Sequence, residues 1–100
     1  MENYYVYFLL SSKDNNFYIG CTCLEPKKRL NKYHNKGIVK STRLRIPFIL
    51  CYYEFYNNKN LAFKREFYLK HPKGYKEKIA IISLVKETKK DKLPIIIKKY

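Results

Sequence analysis

No apolar run in this chain approaches the roughly 20 residues that a bilayer-crossing helix needs, so a membrane-embedded protein is not expected. The first residues, Met1-Glu2-Asn3, carry neither a basic cluster nor a long apolar stretch, and an export signal is not expected either. Cysteine is sparse and odd in number: Cys21, Cys23 and Cys51. Together these features point to a reducing compartment, cytoplasmic or, in a eukaryote, nuclear, and to small thiols without a disulfide role. Cys21-x-Cys23 is not a zinc-ligand spacing, and no second Cys/His pair stands at ligand distance, so structural zinc is not expected.

Acidic residues are scarce. Only 8 Asp and Glu stand against 22 Lys and Arg, a formal net charge of +14 at pH 7. This imbalance implies a polyanionic partner, nucleic acid before membrane, because no segment has the amphipathic Lys/Trp pattern of an interfacial anchor. Most of the basic residues are Lys, in a chain also rich in Asn, Ile and Tyr, the bias of an AT-rich genome, so placement means more than total. Residues 26–45 contain Lys27, Lys28, Arg29, Lys32, Lys36, Lys40, Arg43 and Arg45 and no acid. A merely solvated helix face would mix signs to relieve repulsion. The segment therefore reads as a phosphate-binding band, with Lys28, Lys32, Lys36, Lys40, Arg43 and Arg45 as its nucleic-acid contacts. No zinc-finger, helix-turn-helix or basic-zipper pattern is present to read bases.

What is present is a core. Hydrophobic residues make up 46% of the 100, with 11 Tyr and 6 Phe, enough for one domain and too few residues for two. Tyr4 to Leu10 reads as a strand with Tyr5, Tyr7 and Leu9 on one face and Val6, Phe8 and Leu10 on the other. Both faces are bulky and apolar, which places it inside a sheet or under helices. Lys13-Asp14-Asn15-Asn16 is a turn, and Phe17 to Cys21 returns as the second strand of a hairpin. Glu25-Pro26 opens a helix that Gly37 ends, and Ile38 to Pro47 is a basic connector. Phe48 to Tyr56 is a third strand. Asn57 or Asn58 caps a helix to about Lys70, broken by Pro72-Lys73-Gly74, and Tyr75 to Val85 forms a third helix or, by composition, a strand. The expected fold is a small α/β domain over residues 1–86, a three-stranded mixed or antiparallel sheet flanked by helices in the order β-β-α-β-α-α. Residues 87–100 form a basic C-terminal extension, either a short added strand or a loose tail, which could pair two copies or hold a partner protein.

One acid stands out. At 100° per residue, Glu66 falls between Ala62 and Phe63, inside the apolar arc of the second helix. A carboxylate there needs a partner, either Lys70 at i+4 or a bound cation. A protein holding DNA phosphates needs an anion where it must hold a second cation, and one carboxylate with phosphate oxygens and waters can hold Mg²⁺. Asp14 in a turn, Glu25 at a cap and Glu54 on the third strand suit that role less.

With Tyr5-Val6-Tyr7 on the first strand, Tyr18-Ile19-Gly20 ending the second, an Arg in the next helix and a Glu in the second, the chain resembles the GIY-YIG nuclease superfamily. It is most similar to the small single-domain members. The stretches "YYVYFLLSSKDNNFYIGCT", "KKRLNKYHNKG", "STRLRIPFILCYYE" and "LAFKREFYLK" carry the resemblance in order over Tyr4 to Val85. It implies metal-dependent endonucleolytic hydrolysis of DNA, with Mg²⁺ or in its place Mn²⁺, in repair, recombination or mobile-element processing. Tyr7 and Tyr18 match the two motif tyrosines, Arg29 the helix arginine, His34 the histidine that follows it, and Glu66 the metal-binding glutamate. The implied roles are a general base for Tyr7, a water or phosphate contact for Tyr18, charge stabilisation for Arg29, a proton relay for His34 and the metal for Glu66. Gly20 would leave room for a phosphate or the helix start. Tyr5 replaces the first motif glycine, and the late Asn of some members is missing, so that its role is empty or a nearby Lys such as Lys73 or Lys76 supplies a phosphate contact instead. Against the enzyme stands a non-catalytic nucleic-acid-binding module, of DNA or of RNA, in which the tyrosines only pack or stack.

Overall fold

The computed structural model describes residues 3–99. Strand β1 (Tyr4–Ser11) pairs antiparallel with β2 (Phe17–Thr22), through a turn in which Asn15 takes the left-handed conformation (φ 59) that Asn tolerates well. Helix α1 (Pro26–Arg29) starts with Pro in its first turn, and the Glu25 side chain accepts from the backbone N–H groups of Lys27 and Lys28. It runs on as a π-helical turn over Leu30–His34. After the connector come β3 (Phe48–Tyr56), α2 (Lys59–Lys70) capped by Asn58, α3 (Tyr75–Glu87) and β4 (Ile95–Lys98).

The sheet order is β2-β1-β3-β4, with β4 parallel to β3. The sheet thus has four strands, not three. The fourth is the short added strand that was one of the two forms expected of the C-terminal extension: β-branched Ile95, Ile96 and Ile97 suit a strand, and the open backbone edge of β3 pairs with them. Strand β1 is central, as its two apolar faces require. Val6, Phe8, Ile19 and Tyr52 pack under α2 and α3 with Ala62, Leu69, Ile81 and Val85. Tyr7, Leu9, Phe48 and Leu50 pack with Leu30 of the π-helical turn on the other face. A bulge lies where the register steps from Phe8↔Tyr52 to Leu9↔Leu50, so Cys51 has no opposite residue. That extra residue flips the parity of β3. Phe48 and Leu50 therefore join the Tyr7 face, while Tyr52, Glu54 and Tyr56 face α2 and α3.

Among the described residues no helix is long and apolar enough to cross a membrane.

Candidate active site

Tyr7 is 1% exposed, on the face covered by the π-helical turn, and its cross-strand neighbour on β2 is Gly20. A Cβ at Gly20 would lie 2.5 Å from both Cζ and Oη of Tyr7. The glycine therefore makes room for the tyrosine's own phenol and not, as expected from sequence, for a phosphate or the helix start. The phenol meets Nε2 of His34 at 2.7 Å, and His34, fully buried, meets the hydroxyl of Thr42 through Nδ1 at 2.9 Å. Thr42 can donate to Val39 O at 3.4 Å, which leaves its oxygen to accept from Nδ1–H. That order is the one of the tautomer in which Nδ1 carries the proton and Nε2 accepts from Tyr7 O–H. Burial, helped by the nearby Arg29 charge, lowers the His34 pKa to about 4, so the imidazole is neutral at pH 7. Burial likewise pushes the Tyr7 phenol well above its ordinary value, with Arg29 offsetting part of the rise.

Arg29 lies with its guanidinium carbon 4.9 Å from the centre of the Tyr33 ring. Its Nε has no hydrogen-bond partner, alone among the buried side-chain polar atoms of the described residues. An orphaned cationic donor is costly unless an anion completes it. Tyr18 is half-buried, its ring centre 6.4 Å from that of Tyr7 and 5.2 Å from that of His34, with Lys70 Nζ 5.6 Å from its centre. Among the described residues no protein group hydrogen-bonds its hydroxyl.

Glu66 stands at the rim of this cluster. Its side chain is 23% exposed, and Oε2 meets Lys70 Nζ at 3.1 Å. The helical-wheel reading placed it inside an apolar arc, but one flank of that arc is Phe63, which is 45% exposed. Its charge still reaches the cluster. It opposes ionisation of Tyr7, and it adds to burial in pushing the Cys21 thiol up to about 11. Among the described residues the fully buried acid is Glu54, which suits a metal less by its place on the third strand. It accepts from Arg65 Nε at 2.9 Å and Nη2 at 2.8 Å, and from Tyr56 and Tyr52 at 2.7 and 2.5 Å. Arg65 also reaches Glu77 on α3 at 2.7 Å. This network fastens α2 and α3 to β3 and does not touch the Tyr7 cluster. The position of Arg65 beside Ala62 and Leu69 on the wheel is the signal that marks it.

Of the basic band, Lys28, Lys32, Lys36, Lys40 and Arg43 are exposed. Arg45 differs: it pairs with Asp14 at 2.6 Å and donates to Asn16 O at 3.1 Å, tying the connector to the β1–β2 turn. Among the described residues the band thus has one counter-charge, supplied from outside its own sequence. Thr42 is the site residue that sequence reasoning missed, because a hydroxyl in an irregular connector has no spacing that points to it.

The class is that of the nucleases: residues 3–79 match the family model described as the GIY-YIG catalytic domain, and the chain belongs to that family. The domain supports a nuclease, and hence hydrolase, activity on nucleic acid. The chain is similar to small bacterial proteins of that family. It is 42% identical over 66 residues to a UPF0213 protein of Clostridium perfringens, covering 66% of this chain and 69% of the relative. It is 34% identical over 84 residues to one of Streptococcus pyogenes, covering 84% and 90%, and 30% identical over 69 residues to one of Bacillus cereus, covering 69% and 71%. No solved structure matches the chain significantly.

Proposed function

We propose that this protein is a metal-dependent DNA endonuclease in which Tyr7, backed by His34, takes the proton from the attacking water. The observation that carries the reading is the orphaned Nε–H of Arg29 beside the Tyr7–His34 pair: a donor without an acceptor next to a phenol with a proton path. A phosphate oxygen supplies the missing acceptor. Arg29 then holds the phosphate and stabilises the charge that grows on its oxygens, a contribution commonly worth 10²–10³ in rate, roughly.

Because burial disfavours its phenolate, Tyr7 does not wait ionised. It receives the water proton on Oη as it passes its own to His34 Nε2, once the phosphate bound at Arg29 offsets the charge that adds to burial in keeping the imidazole neutral, and Thr42 keeps Nδ1–H in place throughout. Tyr18, with its hydroxyl unengaged, orients the water or binds a phosphate oxygen. The exposed Lys28, Lys32, Lys36, Lys40 and Arg43 hold the flanking backbone.

The residues fit a divalent cation only in part. Among the described residues no group of three or more His, Cys, Asp or Glu gathers to hold one. Glu66 offers a half-buried carboxylate with only Oε2 engaged, by Lys70. Hard cations with few protein ligands complete their shell with waters and phosphate oxygens, so Glu66 fits Mg²⁺ or Mn²⁺ on the substrate complex. Such an ion, when bound, supplies positive charge against the leaving 3′ oxygen.

The test is incubation of labelled single-stranded, double-stranded and branched DNA with Mg²⁺, with Arg29→Ala and Glu66→Ala as controls. Wild type is expected to cut and both variants to be slowed at least about a hundredfold. A wild type that cuts nothing leaves a binding module instead, and variants that cut equally well overturn the site built on Arg29 and Glu66.

A further inference from the structure

Helix α2 carries a ridge that neither the core nor the Tyr7 cluster uses. On its solvent side Phe63 is 45% exposed and Phe67 is 69% exposed, one turn apart and on either side of Glu66 in sequence. Surface rings of this size are normally buried against something. Lysines frame them: Lys59 Nζ lies 5.6 Å from the Phe63 ring centre, and Lys70 beside Glu66 lies over Tyr18. Phe67 stacks in turn on His71, their centres 5.6 Å apart and their planes tilted by 35°.

The Phe63 end of the ridge borders a cleft that it shares with Arg29 of the candidate site. This cleft, of about 380 Å³, runs from Arg29, the residue with the orphaned donor, past Cys21, Thr22 and Cys23 to Lys59 and Phe63. A strand whose phosphate fills the Arg29 end of this cleft therefore carries its next nucleotide toward the phenylalanines.

We infer that the cleft and the Phe63–Phe67 ridge form a stacking site for unpaired bases of DNA next to the phosphate held by Arg29. This deepens the endonuclease reading and rests on it for the position of that phosphate. The chemistry selects the occupant. Alternating aromatic rings and cations suit an unpaired strand, whose bases offer π-faces and whose backbone offers negative charge. A duplex hides its base faces and would leave both rings against a sugar-phosphate edge. An acidic protein would satisfy the lysines without using the rings, and a second copy of this chain would set +14 against +14.

The test uses the full chain in EDTA, so that binding is read without cleavage. Fluorescence anisotropy compares labelled single-stranded DNA, its duplex and single-stranded RNA on wild type, Phe63→Ala/Phe67→Ala and Phe63→Tyr/Phe67→Tyr. Each stacked base commonly contributes a factor of about five to a hundred. The double alanine variant should therefore lower the ratio of single-strand to duplex affinity about tenfold or more, and the tyrosine variant should restore it. A 2-aminopurine base placed in the strand should be quenched by wild type and brighten on the alanine variant. An unchanged ratio, or equal losses on single strand and duplex, overturns the inference. So does a loss confined to RNA, or a wild-type dimer that the alanine variant dissociates. The two readings fail separately. If the ratio falls as expected but wild type cuts nothing in Mg²⁺, the stacking site stands and the endonuclease falls. If wild type cuts and the ratio is unchanged, the reverse holds.

Discussion

Replacing Arg65 with Met tests how the two helices are held on the sheet. The Glu54 carboxylate is 0% exposed and takes both of its charge-assisted bonds from Arg65, leaving only two phenol donors when the guanidinium is gone. Breaking a buried pair from one side typically costs about 3–5 kcal/mol, because an uncompensated charge remains. The second bond, to Glu77, is partly exposed on the carboxylate side and adds about 1 kcal/mol at most. For a domain of this length each kcal/mol is worth roughly 4–8 °C in Tm, so a fall of about 12 °C or more is expected. The pH dependence sharpens the expectation. In the wild type, burial works to raise the Glu54 pKa, but hydrogen bonds from Arg65, Tyr52 and Tyr56 outweigh it and the net value is lowered. A lowered folded-state value means stability that is present at neutral pH and is lost as pH falls through that value. Without Arg65 burial wins and the pKa rises, so the variant's deficit is greatest at neutral pH and shrinks as Glu54 takes a proton. Urea melts at pH 7.5 and pH 4.5, with Arg65→Met/Glu54→Gln as the double variant, measure this. A deficit near 1 kcal/mol, equal at both pH values, would refute the buried-charge account.

Three further outcomes follow from the site. Gly20→Ala drives a Cβ against the Tyr7 phenol and should cost about 1–3 kcal/mol in denaturant melts, as overpacking does, with cleavage falling more than stability accounts for. Thr42→Val removes the acceptor that holds Nδ1–H of His34; in single-turnover cleavage the rate should fall about tenfold or more with DNA affinity unchanged, and Thr42→Ser should restore it. Because five members of the basic band are free of ion pairs among the described residues, DNA affinity should fall steeply between about 50 and 200 mM salt. Lys32→Ala/Lys36→Ala should flatten that slope by roughly two charges' worth.

The strands and helices were legible because their signals are local. Two apolar faces put Tyr4–Ser11 in the middle of the sheet, Pro26 and Asn58 mark helix starts, and Pro72 with Gly74 separates α2 from α3. The tyrosines, Arg29, His34 and Glu66 were legible through a motif pattern, and the structure brings the first four together with Glu66 at their rim. What escaped depends on tertiary context. The bulge at Cys51 decides which β3 residues face α2, so Glu54 and Glu66 exchanged places as the inward acid. Pairing of β4 depends on a free strand edge, and Thr42 becomes a site residue only when the connector folds back onto His34. The charge band was read without Asp14, which lies 31 residues before Arg45 in sequence and touches it in space.

The central claim is that Tyr7 moves the proton of the attacking water. Tyr7→Phe deletes only the hydroxyl that meets His34 Nε2 at 2.7 Å and leaves the ring in its place. Single-turnover cleavage of labelled DNA in Mg²⁺, with affinity measured alongside, should show Tyr7→Phe binding like wild type and cutting at least about a hundredfold more slowly. Cutting by Tyr7→Phe at the wild-type rate would contradict the account.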